Sequence, residues 1–366
     1  MQSLAITKVD LYKLFIPLKE PFIISLGPLY NAESVVVRME TSAGITGWGE
    51  CSPFMSINGE SADTGLVVGR YLERILLGRD PLAIGDRILD MDGVIYGNKS
   101  IKSAFDMALY DIAAKHAGQP LYRFLGGNRQ KEIATDYTVS VGTPAKMAAD
   151  ALKIKARGFP VIKVKIGKGG AQDVERIRAI REAVGIDIPL RVDANQGWHR
   201  EEAIETLKAL EPFNIQHCEE PIARWEFMEL PKIKAQSPIP IMADETCGDQ
   251  HDVQRLIDLG ACDRINIKLG KSGGIYNALE MIRLAEAANM EIQIGAFLES
   301  RLAMTAFAHL ACCSPNIVYF DFDTALMFSE DPVEGGMQYK ENGIIDVPDA
   351  PGIGAVIRED FLKSVV

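Results

Sequence analysis

Two hydrophobic rhythms divide the chain. Leu4–Leu14 and Ser34–Glu40 alternate apolar and polar positions as strands do, and Gly44-Ile-Thr-Gly-Trp-Gly49 reads as turn residues between such segments. Over Ser100–Ala117 the period lengthens, placing Ile101, Ala104, Phe105, Ala108 and Ile112 on one helical face. Strands first and helices after predict an α+β domain over residues 1–125. From Tyr137 onward the rhythm repeats. Apolar runs predict strands at Tyr137–Val141, Val161–Ile166, Leu190–Asp193, Ile215–Glu219, Ile239–Asp244, Arg264–Lys268, Glu291–Phe297 and Ile317–Asp321. Helical stretches such as Ala171–Val184, Arg200–Leu210, Asp252–Leu259 and Ile275–Ala288 separate them. Eight strands with intervening helices predict an α/β fold, a (β/α)7β barrel of the TIM type, over residues 126–330. Irregular chain follows the eighth run, and residues 331–366 are expected to pack back on the first domain.

Spacing strengthens the barrel reading. Steps of 28, 26, 25 and 24 residues separate Lys165, Asp193, Glu219, Asp244 and Lys268, so an ionisable residue ends each of five successive apolar runs. Catalytic residues of such barrels sit at the C-terminal ends of several strands.

Composition narrows the partners. The 366 residues are 47% apolar and 24% charged, which excludes long disordered stretches. A formal net charge of −11 argues against a nucleic-acid surface, which needs clustered Lys and Arg. The N-terminus carries Lys8, Asp10 and Lys13 and no continuous apolar core, and no uncharged run is long enough to span a membrane. Cys51, Cys218, Cys247, Cys262, Cys312 and Cys313 show no paired spacing and read as reduced thiols, which makes the cytoplasm the expected compartment.

Three carboxylates on neighbouring strand ends repel one another unless a cation intervenes, and hard oxygen ligands suit Mg²⁺. Each of Asp193, Glu219 and Asp244 taken alone also fits a helix cap; the set does not. In Val161-Ile-Lys163-Val-Lys165-Ile the period of two puts both lysines on one face. Burial there is expected to lower their pKa and make a base, with Lys268 facing Lys165 across the barrel mouth; an edge strand with solvated lysines is the plainer alternative. Asp321-Phe-Asp323 offers two carboxylates to an ammonium group, or a pair of solvated turn acids. Leu269-Gly-Lys-Ser272 looks like the end of a phosphate-binding loop, but Ile265 stands where the first glycine is required. The five histidines form no metal or triad spacing and read as structural or surface residues.

Lys163-x-Lys165, Asp193-Ala-Asn195, Glu219-Glu-Pro221, Ala243-Asp244-Glu245 and Asn266-Ile-Lys268 together resemble the signature of the enolase superfamily's muconate-lactonizing subgroup, and the likeness covers nearly the whole chain. That resemblance implies a capping domain before the barrel and Mg²⁺ on Asp193, Glu219 and Asp244. It also implies Lys165 and Lys268 as acid/base pair, Lys163 as electrostatic support, and Asn195 and Glu245 orienting the ligands. A homo-oligomer is implied as well. Asp321 and Asp323 resemble the ammonium receptor of the dipeptide epimerases, relatives of the L-Ala-D/L-Glu epimerases. The reaction implied moves the α-proton of a dipeptide's C-terminal residue through an enediolate. An N-acylamino-acid racemase or o-succinylbenzoate synthase on the same scaffold is the alternative, and it would act on acylated substrates that lack a free ammonium. A non-catalytic protein on a retired scaffold would not keep every position of the set filled. Ala-Glu epimerases are expected to carry an arginine in the capping loop, which here reads Glu20-Pro-Phe-Ile-Ile-Ser25. Ile24 there, Thr138 on the first barrel strand and apolar Leu298 at the seventh are expected to contact substrate. The expected C-terminal residue is small or hydrophobic.

Overall fold

The computed structural model describes residues 4–129 and 131–362; Met1–Ser3 of the N-terminal reading and Lys363–Val366 of the C-terminal segment lie outside them. A three-stranded antiparallel sheet comes first: β1 (Ile6–Ile24), β2 (Gly27–Thr41) and β3 (Thr46–Cys51). Here β1 runs ten residues beyond the expected end at Leu14, so the segment expected to be a capping loop is mostly strand. The β1–β2 ladder shifts register between Pro17 and Phe22 and resumes to Ile24, which pairs with Gly27. This long hairpin delivers its tip to the barrel mouth, where Ser25 Oγ donates to Asn195 O at 2.8 Å and Val141 N–H to Ile23 O at 2.9 Å.

Of the glycines read as turn residues, only Gly44 sits in the turn, at φ 75°. Gly47 and Gly49 belong to β3, and a β-carbon on either would strike a carbonyl of the helix Lys99–His116, Ala108 O and Ala104 O respectively. Bare backbone lets the helix lie directly on the strand. The helix is therefore buried from Ser100 to Ala114, not along one face as its periodicity suggested. Its other side meets the barrel, where Asp106 accepts from the backbone N–H groups of Ile275 and Tyr276 at the start of the helix Ile275–Ala287.

Eight parallel strands follow in chain order: β4 (Tyr137–Val139), β5 (Ile162–Lys165), β6 (Leu190–Asp193), β7 (Ile215–Glu219), β8 (Ile241–Ala243), β9 (Arg264–Ile267), β10 (Glu291–Ile294) and β11 (Ile317–Phe320). Helices lie in each of the seven connections, and β11 is followed by a 3-10 turn, Thr324–Met327, with no α-helix after it among the described residues. Asp136 N–H donates to Phe320 O, which brings the last strand beside the first. This is the expected (β/α)7β barrel with a capping domain; β6 and β7 keep their expected bounds and the other six strands are trimmed by one to three residues. The apolar core is continuous around the barrel, and a second cluster, including Leu72, Met91 and Phe105, fills the capping domain. Past the barrel, Ile353 N–H donates to Asp111 and Leu121 N–H to Gly352 O, tying the C-terminal segment to the helices of the first 125 residues. No helix among the described residues is long and apolar enough to cross a membrane.

Candidate active site

Strand periodicity builds the site. On β5 it turns Lys163 and Lys165 into the barrel, both buried, and β5 lies between β4 and β6, so the edge-strand alternative fails. Register sets Lys165 opposite Asp193 and Asp193 opposite Glu219, placing three charged groups at one level across three strands. Asp244 and Lys268 each follow their strands, β8 and β9, by one residue. None of the three carboxylates has any exposed surface.

Ammonium groups stand between these acids. Lys165 Nζ donates to Asp193 Oδ2 at 2.6 Å, and Lys268 Nζ to Asp244 Oδ2 at 2.8 Å. Lys163 Nζ reaches Asp321 at 2.8 Å, Glu219 at 2.9 Å and Asp193 at 3.3 Å. Lys163 thus bridges Asp193 and Glu219, while Asp244 pairs separately with Lys268. Among the described residues, the trio of acids whose oxygens lie within 4.8 Å of one another is Asp136, Asp321 and Asp323.

The fall in pKa expected on β5 does not occur at Lys163. Burial works to lower Lys163, but Asp321, Glu219 and Asp193 outweigh it and raise its pKa well above the ordinary value. Lys268 is also raised, because Asp244 and Glu219 outweigh its burial. Asp193 and Asp321 are lowered in return: burial opposes their ionisation, and the lysines outweigh it.

Three buried carboxylates with no nitrogen or sulfur donor among them suit a hard divalent cation such as Mg²⁺. Polar groups hold them from behind. Asn266 Nδ2 and Gln293 Nε2 donate to the two oxygens of Glu219 at 2.9 and 3.2 Å, and Asn195 N–H donates to Asp193 Oδ1 at 2.8 Å. Asn195 Nδ2 donates to Glu245 Oε1 at 3.3 Å, while Asn195 Oδ1 and Glu245 Oε2 are buried without a partner. Donor chemistry and orphaned oxygens both fit a bound, hydrated cation.

Above the acids, Lys165 and Lys268 line one small cavity of about 40 Å³ together with Asn195, Thr138, Asp321, Asp323, Ile24 and Leu298. Thr138 contributes its backbone, the N–H donating to Asp323 Oδ2 at 2.7 Å, and Asp323 Oδ1 has no partner. Burial first and Asp321 second push the Asp323 carboxyl up to about 7. A larger groove of about 790 Å³ beside Trp225 contains neither Lys165 nor Lys268.

Several groups escaped the sequence reading. Phe22 and Phe297 place rings 5.9 Å from Lys165 Nζ and 4.9 Å from Lys268 Nζ, and Phe54 packs 5.8 Å from Phe297. Arg191 bonds Asp136 at 2.8 Å beneath the site; it precedes Asp193 by two residues, so strand alternation carried its signal. Lys271, set aside with the false phosphate loop, is buried against Asp244.

Known proteins match this chain over nearly its full length. Residues 6–126 match the mandelate racemase/muconate lactonizing enzyme N-terminal domain, and residues 146–361 the enolase C-terminal domain-like family. A D-Ala-D/L-Ala epimerase of Cytophaga hutchinsonii is 58% identical over 98% of both chains. An L-Ala-D/L-Glu epimerase of Bacillus subtilis is 38% identical, again over 98% of both. The crystal structure of a C. hutchinsonii dipeptide epimerase, complexed with Mg and D-Ala-L-Val, superposes with a TM-score of 0.97 over 98% of this chain and 97% of that one.

Proposed function

The chain belongs to the mandelate racemase/muconate lactonizing enzyme family of the enolase superfamily, and from that membership we propose that it is a Mg²⁺-dependent dipeptide epimerase. One observation carries the reading: two buried lysines from different parts of the barrel line a single small cavity that also holds a carboxylate with one unpartnered oxygen, Asp323. In this reading Asp193, Glu219 and Asp244 hold the cation. Bound there, Mg²⁺ supplies positive charge that offsets the second negative charge created when a carbon beside a carboxylate loses its proton.

This chain's own groups do the rest. One of Lys165 and Lys268 takes the α-proton and the other returns one from the opposite face, so the product can have either configuration. Lys163 adds positive charge beside Lys165. Asp321 and Asp323 receive the free α-ammonium, which favours dipeptides over N-acylated substrates and sets aside the racemase and synthase alternatives. The apolar lining, with Ile24 and Leu298 and no arginine, suits a small or hydrophobic C-terminal residue, in keeping with the name of the 58% identical relative.

The same reading takes residues 1–125 as the capping domain, 126–330 as the barrel and 331–366 as the returning segment. It takes a small dipeptide as the partner, with no nucleic acid or membrane, and a homo-oligomer in the cytoplasm. Free cysteines support the compartment, and exposed Trp225 and Tyr96 support assembly. The test is incubation of Ala-Ala and Ala-Glu in D₂O with Mg²⁺, read by mass. Deuterium should enter the C-terminal α-carbon of Ala-Ala, and EDTA or Lys165→Ala should stop it. No exchange with any dipeptide would overturn the assignment.

A further inference from the structure

We propose that Lys271 is the positioning residue for Asp244, holding that carboxylate with one oxygen turned toward the cation site. The inference rests on the metal reading above. Lys271 lies on the short helix Leu269–Ser272, just past Lys268, and only 5% of it is exposed. Its ammonium bonds both Asp244 O and Asp244 Oδ1, and also reaches Asn266 O at 3.1 Å and Cys247 O at 3.3 Å. These acceptors come from the β8 loop and from β9, so one cation gathers the two segments that carry Asp244 and Lys268.

The two lysines divide Asp244 between them. Lys271 takes Oδ1 from behind, and Lys268, which lines the cavity, takes Oδ2 at 2.8 Å. Oδ2 is therefore the oxygen turned to the site. Glu220 clamps the same turn through the backbone, accepting from Asp244 N–H at 2.7 Å and Thr246 N–H at 3.2 Å. With Glu220 fixing the main chain, Lys271 is left to fix the side chain. A buried carboxylate that loses its ammonium partner is left free to turn away, and that change removes a metal ligand.

Partners behind a metal ligand typically matter 10- to 100-fold in affinity. Lys271→Met and Lys271→Arg would be compared with the parent by titrating Mn²⁺ into the metal-free full chain and following the free-ion paramagnetic resonance signal. Thermal unfolding with and without Mg²⁺ would run alongside. The expectation is a loss of about 10-fold or more in Mn²⁺ affinity for Lys271→Met, a smaller loss for Lys271→Arg, and a matching shrinkage of the Tm gain from Mg²⁺. If Lys271→Met does not fold, Lys271→Gln takes its place. Affinity within about threefold of the parent in that uncharged variant would show a role in stability only and overturn the proposal. A parent that binds no Mn²⁺ would overturn the metal reading itself, and this inference with it.

Discussion

Asp323 is the acid with the fewest partners in the cavity. Lys163 compensates Asp321 and Arg191 compensates Asp136, while Asp323 has one backbone N–H. A substrate ammonium therefore has one unpartnered carboxylate oxygen to meet. Asp323→Asn should raise KM for a dipeptide roughly 10- to 100-fold, the scale of a charge-assisted hydrogen bond, while kcat falls less. Steady-state kinetics check this; an unchanged KM would move the receptor elsewhere. The residues legible beforehand were those that period and spacing single out: Lys163 and Lys165 by alternation, and Asp193, Glu219, Asp244 and Lys268 by recurrence once per strand-and-helix unit. Phe297 and Lys271 lie past strand ends, where no period operates, and their side chains have meaning only once another strand's residue is beside them. The protonation of Lys163 was misjudged for the same reason, because its acids come from three other strands.

Among elements, periodicity gave the eight barrel strands in place and order, since each must bury a short apolar run. It failed where two elements touch without side chains between them. Gly47 and Gly49 looked like turn residues because their use, letting a helix rest on β3, is visible only from the helix. The helix Arg301–Ala311 shows how such contacts tie distant segments together. Its His309 accepts Tyr122 N–H at Nδ1 (3.1 Å), and its Nε2–H faces Ile353 O at 3.0 Å. Burial, the largest influence, pushes its pKa down to about 4, so the folded state keeps the ring neutral. The unfolded chain binds a proton near pH 6.5 and the folded chain does not until about 4. Stability from this residue is thus complete above about 6.5 and lost as pH falls toward 4, by up to about 3 kcal/mol. His309→Gln cannot titrate. Urea unfolding from pH 7 to 4.5 should show a steeper fall for the parent than for the variant, and parallel curves would refute the account.

Across the whole molecule, the barrel was foreseeable from the chain alone, while the reach of the first hairpin was not. Nothing in the composition of Glu20–Ser25 says that β1 continues through it to the barrel mouth; the hydrogen bonds to Asn195 and Val141 that hold the tip there come from residues far along the chain. Because Ile24 lines the cavity without touching the acids or lysines through any hydrogen bond, Ile24→Arg should leave proton exchange competent. It should also shift kcat/KM toward Ala-Glu relative to Ala-Ala by about tenfold or more, the worth of one partly buried ion pair. Competition assays with the two dipeptides measure that ratio directly. The hairpin tip keeps the selector on one stretch of polypeptide and the reagents on another. In heredity this amounts to separate dials: a point change at Ile24 can give descendants a new diet while the proton chemistry passes on untouched.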